Sequence, residues 1–203
     1  MHHTYTYLAL GDSYTIGEGI SLTKSFPYQA VALLRKDVYD LSAPEIIAKT
    51  GWTSDELEEG INSHILSAKY DIVTLLIGVN NQYRGRDIAE FKQQFENLLN
   101  RSIELANGKK DHVFVISIPD YGVTPFAKIM DSEKITKEID EYNNLQKAIA
   151  IQYKVHYIDI TEGSRKAKTN LSLVANDGLH PSEKEYAKWA KKLVAGMKLL
   201  LKK

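Results

Sequence analysis

Three runs far apart in the chain carry the residue types of an acyl-transfer site: Gly11-Asp12-Ser13, Gly78-Val79-Asn80 and Asp177-Gly178-Leu179-His180. Serine becomes a nucleophile only when a base takes its proton. Histidine, with a free pKa of about 6.5, is the usual base near neutral pH. A carboxylate beside it fixes the tautomer and favours the imidazolium formed during attack. Ser13, His180 and Asp177 provide one of each. Asp177 lies three residues before His180 with Gly178 between them, so a tight turn can bring the carboxylate to the ring nitrogen facing away from Ser13. Asn80 has an amide that can donate to a developing oxyanion. The Ser13 N–H can do the same if Ser13 opens a helical turn, and Gly51 can offer a second backbone N–H.

Each run alone also has a plainer reading. Gly-Asp-Ser suits a helix N-cap or turn, Asn80-Asn81 is good turn material, and Gly51 suits a loop needing positive φ. Asp177 can be a turn former, and His180 a surface residue ahead of a helix opened by Pro181. The run Gly11 to Gly19 fits neither Gly-x-Gly-x-x-Gly nor the P-loop, and Asp12 and Glu18 would repel phosphate. Of the other histidines, His2 and His3 sit in the tail, and His64, His112 and His156 lie in ordinary elements without an evident acid–base partner.

The elements that must position these residues are legible from periodicity. Short apolar runs read as strands at Tyr5 to Leu10, Glu45 to Ala48, Asp71 to Ile77, His112 to Ile118 and Val155 to Ile160. Between them, helical spacing covers Phe26 to Asp37, Thr53 to Ser67, Asp87 to Ala106 and Ser132 to Tyr153, and a last helix opens at Pro181. Thr53 followed by Glu56 makes a capping box. Ile88, Phe91, Phe95, Leu98 and Leu105 form one expected inward stripe, Ile135, Ile139, Tyr142, Leu145 and Ile149 a second, and Tyr186, Ala190, Leu193, Met197 and Leu200 a third. Alternating strands and helices predict a parallel sheet covered on both faces. Sites in such sheets lie outside the carboxyl ends of the strands. Ser13, Gly51 and Asn80 each follow a strand, so three distant loops would share one rim.

The chain of 203 residues suits a single domain spanning 1–203. It has no cysteine, which excludes disulfides and thiolate chemistry. Lys plus Arg and Asp plus Glu both number 26, so no general attraction to nucleic acid is expected. The lysine-rich end, Lys191-Lys192 through Lys202-Lys203, reads as the solvated face of the last helix. No stretch has the length of an integral membrane segment. As the chain stands it reads as cytoplasmic; a secreted or periplasmic protein trimmed of its signal peptide would look the same.

Together the blocks resemble the SGNH (GDSL-type) hydrolase family. Gly11-Asp12-Ser13-Tyr14, with Gly17 and Gly19, is similar to its first block, and Thr50-Gly51 to the second. Gly78-Val79-Asn80 resembles the third, and Asp177-Gly178-Leu179-His180-Pro181 the fifth. Order and spacing agree over nearly the whole chain. The resemblance implies a three-layer α/β sandwich with a five-stranded parallel sheet of flavodoxin-like order 2-1-3-4-5. It implies Ser13 as nucleophile, His180 as base, Asp177 as its orienter, and an oxyanion hole of Ser13 N–H, Gly51 N–H and the Asn80 side chain. Asn81 stands where the third block commonly has Asp; the oxyanion donor is kept, and the change bears on how that loop is braced.

The expected partner is a small-molecule ester, cleaved through an acyl-enzyme with no metal or organic cofactor required. Short- or medium-acyl carboxylic esters are the favoured substrates, and a carbohydrate acetyl esterase is the main alternative, ahead of a lysophospholipase or thioesterase. A non-catalytic ligand-binding module is the reading from a different class, and the presence of Ser13, Asn80 and His180 together speaks against it. Expected pocket residues are Tyr14, Phe26, the Gln82-Tyr83-Arg84 stretch, and Tyr121 to Met130, for which crossover-loop packing is the preferred reading. Arg84 is expected as a solvated arginine rather than a reader of anionic head groups.

Overall fold

The computed structural model describes residues 3–201. His2 and the Lys202-Lys203 pair of the expected basic face lie outside the described residues. The elements run β1 (Tyr7–Asp12), α1 (Ser13–Ile16), α2 (Phe26–Lys36), β2 (Glu45–Lys49), α3 (Ser54–Ser63), β3 (Ile72–Leu76), α4 (Val79–Tyr83) and α5 (Ile88–Leu105), followed by β4 (Val113–Ile116), α6 (Ser132–Tyr153), β5 (His156–Ile158), α7 (Thr161–Ser164) and α8 (Glu183–Met197). Short 3-10 turns fill the connections, including Tyr121–Val123 and Pro125–Ile129.

The five strands form one parallel sheet in the order β2-β1-β3-β4-β5. Leu10 aligns with Ile47 on one side and Leu75 on the other, so β1 is central. Residues of β1, β3 and β4 are buried throughout, as expected of apolar strands covered on both faces. Helix α2 packs on α8, while α3, α5 and α6 lie side by side. The chain order reverses at β1: it steps to β2, then returns past β1 to β3. Ligands bind at such switch points because loops from adjacent strands diverge there and leave a crevice. The short helices carrying Ser13 and Asn80, α1 and α4, follow the two strands that flank it.

Two polar side chains of α6 hold the rim from below. Gln146 Nε2 donates to Ile77 O at 2.7 Å, just before Gly78. Asn143 accepts from Ile118 N–H at 2.7 Å and donates back to Ile118 O at 2.9 Å, closing the end of β4. These buried amides take over backbone groups that the sheet ladder no longer pairs.

Several boundaries differ from the periodicity. Strand β1 runs on through Gly11 and Asp12, so Ser13 follows it with no intervening loop. Helix α3 stops at Ser63 instead of Ser67. Pro181 is not the first helical residue: it pairs with Val174 in an isolated antiparallel bridge, and Ser182 caps α8. Ile88 is exposed at the start of α5, and Leu145 and Leu200 are half-buried. Gln146, next to Leu145, takes the buried position because its amide has a carbonyl to satisfy.

Candidate active site

Helix α1 is one turn long and exists to present Ser13. Asp12 is its N-cap, with Oδ1 accepting from Tyr14 N–H at 3.0 Å. The Ser13 carbonyl accepts from both Gly17 and Glu18 N–H at the other end of the turn. The serine backbone is therefore fixed from both sides.

The last loop brings up the candidate base and its carboxylate partner. Asp177 Oδ1 accepts from the N–H groups of Leu179 and His180, both at 2.9 Å, which folds the turn. Its other oxygen, Oδ2, lies 2.7 Å from His180 Nδ1. His180 Nε2 lies 2.9 Å from Ser13 Oγ. Burial works to raise the Asp177 pKa, but hydrogen bonds from Leu179 N–H and from His180 outweigh it and hold the carboxyl below its ordinary value. An ionised Asp177 can only accept, so Nδ1 carries the imidazole proton and Nε2 is free to accept from the serine hydroxyl. Gly19 backs the acid: a Cβ there would lie 2.6 Å from Asp177 Oδ2, so any side chain would displace the carboxylate. The Tyr14 ring meets the His180 ring edge-on at 5.4 Å.

The other candidate donors stand on the loop after β2 and on α4. Gly51 adopts φ +85°, and its N–H takes no part in the backbone hydrogen bonds of the loops. Asn80 Nδ2 donates to Trp52 O at 2.9 Å. One amide proton is spent on that bond, which leaves the second to point elsewhere. Arg84 Nη2 donates to Gly51 O at 2.6 Å, and Nη1 lies 3.3 Å from Glu56 Oε1. Thr50 Oγ1 donates to Glu18, tying this loop to the one that follows Ser13.

Asn81 braces the loop. Its Oδ1 accepts from Ser54 N–H at 3.0 Å, and its Nδ2 donates to Ser54 Oγ at 2.8 Å. Ser54 Oγ donates onward to Gln94 Oε1 at 2.5 Å, and Gln94 Nε2 to Glu90 Oε1 at 2.9 Å. Hydrogens in this chain all run one way, starting from an amide. A carboxylate at position 81 could accept from Ser54 N–H but could not start the chain.

Ser13, His180 and Asn80 line an open pocket of about 450 Å³. Its apolar wall consists of Tyr14, Val79, Tyr83, Tyr121, Phe126 and Leu179. Tyr83, Tyr121 and Phe126 form a mutually packed triangle of rings, with centroids 6.1 to 6.4 Å apart. Tyr121 and Phe126 come from the stretch expected to serve only as crossover packing, so part of it is pocket wall. Val123 and Pro125 line a separate groove along α6, and Ile129 is exposed. Phe26, an expected pocket residue, is instead buried against Tyr186 and Trp189. Phe126 N–H donates to Gly178 O at 3.0 Å, which joins the wall to the Asp177 turn. Among the described residues no group of three His, Asp or Glu side chains is disposed to hold a metal ion.

Among the described residues the other histidines stand apart from this relay. His64 Nδ1 meets Gly60 O, His112 Nδ1 meets Asp71 O, and His156 stacks on Phe114. Sequence reasoning missed the ties at Thr50, Gly51 and Trp52. Each joins residues more than 25 positions apart, and no local pattern marks them.

The model of the GDSL-like lipase/acylhydrolase family matches residues 9–188. The chain belongs to that family. It is a carboxylic ester hydrolase of the SGNH/GDSL type. No curated protein matches the chain in sequence. Solved structures share its fold at low identity. TesA is 20% identical with a TM-score of 0.76, covering 97% of this chain and 99% of its own. A lipase/acylhydrolase from Enterococcus faecalis is 20% identical with a TM-score of 0.74, covering 98% of each chain. Axe2, an acetylxylan esterase from Geobacillus stearothermophilus, is 17% identical with a TM-score of 0.73, covering 97% of this chain and 96% of its own. Among the described residues no helix is long and apolar enough to cross a membrane.

Proposed function

We propose that this hydrolase cleaves carboxylic esters of short or medium acyl chain, with Ser13 as nucleophile, His180 as base and Asp177 as its orienter. The observation that carries the reading is the unbroken series Asp177 Oδ2, His180 Nδ1, His180 Nε2, Ser13 Oγ, with steps of 2.7 and 2.9 Å, ending on the pocket lining.

Ser13 Oγ attacks the ester carbonyl carbon as its proton passes to His180 Nε2. The carbonyl electron pair becomes an oxyanion, held by Ser13 N–H, Gly51 N–H and the free amide proton of Asn80. Collapse breaks the bond to the leaving oxygen, which takes the proton from His180. Water then attacks the acyl-Ser13 ester by the same route and releases the acid, restoring Ser13 and neutral His180. The pocket of about 450 Å³ is modest in size, which favours a short or medium acyl group.

Carbohydrate acetyl esters are a second reading, supported by the half-exposed rings of Tyr83 and Phe126 at the mouth. Flat aromatic faces there suit the apolar face of a sugar. The test is a hydrolysis panel: nitrophenyl esters of graded chain length, acetylated sugars, lysophospholipid and acyl-CoA, with Ser13→Ala as reference. Nitrophenyl acetate or butyrate should be turned over fastest. Full activity in Ser13→Ala would overturn the mechanism, and preference for acetylated sugars would replace the first substrate reading by the second.

A further inference from the structure

We propose that Arg84 is a positioning residue that sets the orientation of the Gly51 N–H in the oxyanion hole; the inference rests on the proposed role of that hole. The loop after β2 is held at three successive residues. Thr50 is tied through its hydroxyl to Glu18, Gly51 through its carbonyl to Arg84, and Trp52 through its carbonyl to Asn80. Two of these ties come from one helical turn, because Arg84 directly follows α4 and its N–H bonds Asn80 O at 3.0 Å. A single short helix thus delivers a donor to the hole and grips the loop that supplies another.

Gly51 is the weak point of the loop. It has no side chain and lies at φ +85°, where glycine moves between conformations at little cost. Its N–H and its C=O belong to adjacent peptide planes that pivot at its Cα. Pinning the carbonyl fixes one plane and so restricts the other. The peptide plane between Gly51 and Trp52 is held at one edge by Trp52 N–H, which donates to Lys49 O at 3.2 Å; its other edge is the Gly51 carbonyl. Arg84 holds it with a charge-assisted bond of 2.6 Å. The guanidinium reaches Gly51 O and Glu56 Oε1 together, because its planar fork presents parallel donors. Glu56 is itself fixed at Thr53 N–H by the α3 capping box, so the fork has a firm abutment. The Arg84–Glu56 ion pair is largely exposed and contributes little stability; its effect is directional.

The test compares wild type, Arg84→Met and Arg84→Lys on nitrophenyl acetate, with Ser13→Ala as the reference and melting temperatures measured alongside. Arg84→Met should lower kcat on the order of 10–100-fold, below the ~10²–10³ for losing a donor outright. KM should stay within about twofold, and the melting temperature should hold. Arg84→Lys should recover part of the loss, because an ammonium reaches one acceptor but not two. Millimolar guanidinium should recover part of the Arg84→Met loss by refilling the vacated position. The inference is overturned by unchanged kcat, by a raised KM with kcat intact (Arg84 then contacts substrate), or by a kcat loss that tracks a lowered melting temperature and that neither Lys nor guanidinium recovers. Wild-type protein lacking Ser13-dependent turnover removes the proposed function and this inference with it. Ser13-dependent turnover that Arg84→Met leaves intact removes the inference alone.

Discussion

The two sides of the candidate site are built on opposite plans. The acid–base side is local: Asp177 folds its own turn with one oxygen and orients His180 with the other, within three residues of chain. Only the final step to Ser13 crosses the molecule. Beyond the Ser13 N–H, the candidate oxyanion side is assembled from two segments, the loop after β2 and α4 with Arg84 behind it. Gly51, Trp52, Asn80 and Arg84 hold one another through bonds that each span about 30 residues. Damage to the first side removes a chemical group outright. Damage to the second loosens a geometry that several groups share.

The difference predicts a steep ranking of mutational effects on turnover. Ser13→Ala and His180→Ala should each cost about 10⁴–10⁶ in kcat, measured on nitrophenyl acetate. Asp177→Ala should be roughly tenfold to a hundredfold milder than His180→Ala, because it removes an orienter and leaves the base. If Asp177→Ala equals His180→Ala, the turn itself fails without the Oδ1 bonds, and the local plan is even more interdependent than its distances suggest.

Asn80→Ala should come next, with a loss in kcat of about 10²–10³ and little change in KM. This variant removes a donor and also frees the Trp52 carbonyl. A loss beyond that range would show that the grip on the loop matters as much as the donated proton. A loss below tenfold would mean that Asn80 only braces the loop.

The same contrast explains what could be read from the chain before folding. Asp177 and His180 are legible because the turn that joins them is written in four consecutive residues. Ser13 is legible because a strand ends into it, and the five-strand order follows from alternating apolar runs and helical stripes. Arg84 reads as a solvated arginine because its acceptor is a carbonyl 33 residues away, and carbonyls leave no mark in a sequence. Asn81 reads as a departure from a family pattern because its partner Ser54 is 27 residues away. Its amide is suited to its place only when the whole donor chain to Glu90 is seen.

Asn81 separates bracing from chemistry. Asn81→Ala would leave the buried Ser54 N–H and hydroxyl short of partners, which costs about 1–3 kcal/mol. Urea unfolding should show that loss while kcat falls less than in Asn80→Ala. Asn81→Asp should also destabilise, since Ser54 Oγ already donates to Gln94 and would face a carboxylate with its lone pairs. Greater stability in Asn81→Asp would refute the one-way donor chain.

The last effect lies on the acid–base side and is one of pH. Asp12 is fully buried, and its Oδ2 has no hydrogen-bond partner among the described residues. Burial raises its pKa to about 7, against the lowering effect of the Tyr14 N–H bond. The neighbouring Tyr14 and Tyr186 hydroxyls are pushed well above their ordinary range, chiefly by burial, and do not titrate near neutrality. The folded protein therefore keeps a proton that the unfolded chain releases near the ordinary carboxylate pKa of about 4. Between those values the native state binds more protons, so stability falls as pH rises, by up to about 1.4 kcal/mol per pH unit. Asp12→Asn keeps an acceptor for Tyr14 N–H and cannot ionise. Urea unfolding between pH 5 and 8 should show the variant gaining on wild type as pH rises, with the gap levelling off above 7. On the oxyanion side the corresponding acid is Glu56, held below its ordinary range first of all by the Thr53 N–H bond, and it stays ionised across that window. Glu56→Gln should therefore run parallel to wild type with pH, whatever its constant offset. Parallel lines for Asp12→Asn as well would mean that Asp12 is already ionised at pH 5, and that Oδ2 has found a partner to stabilise its charge.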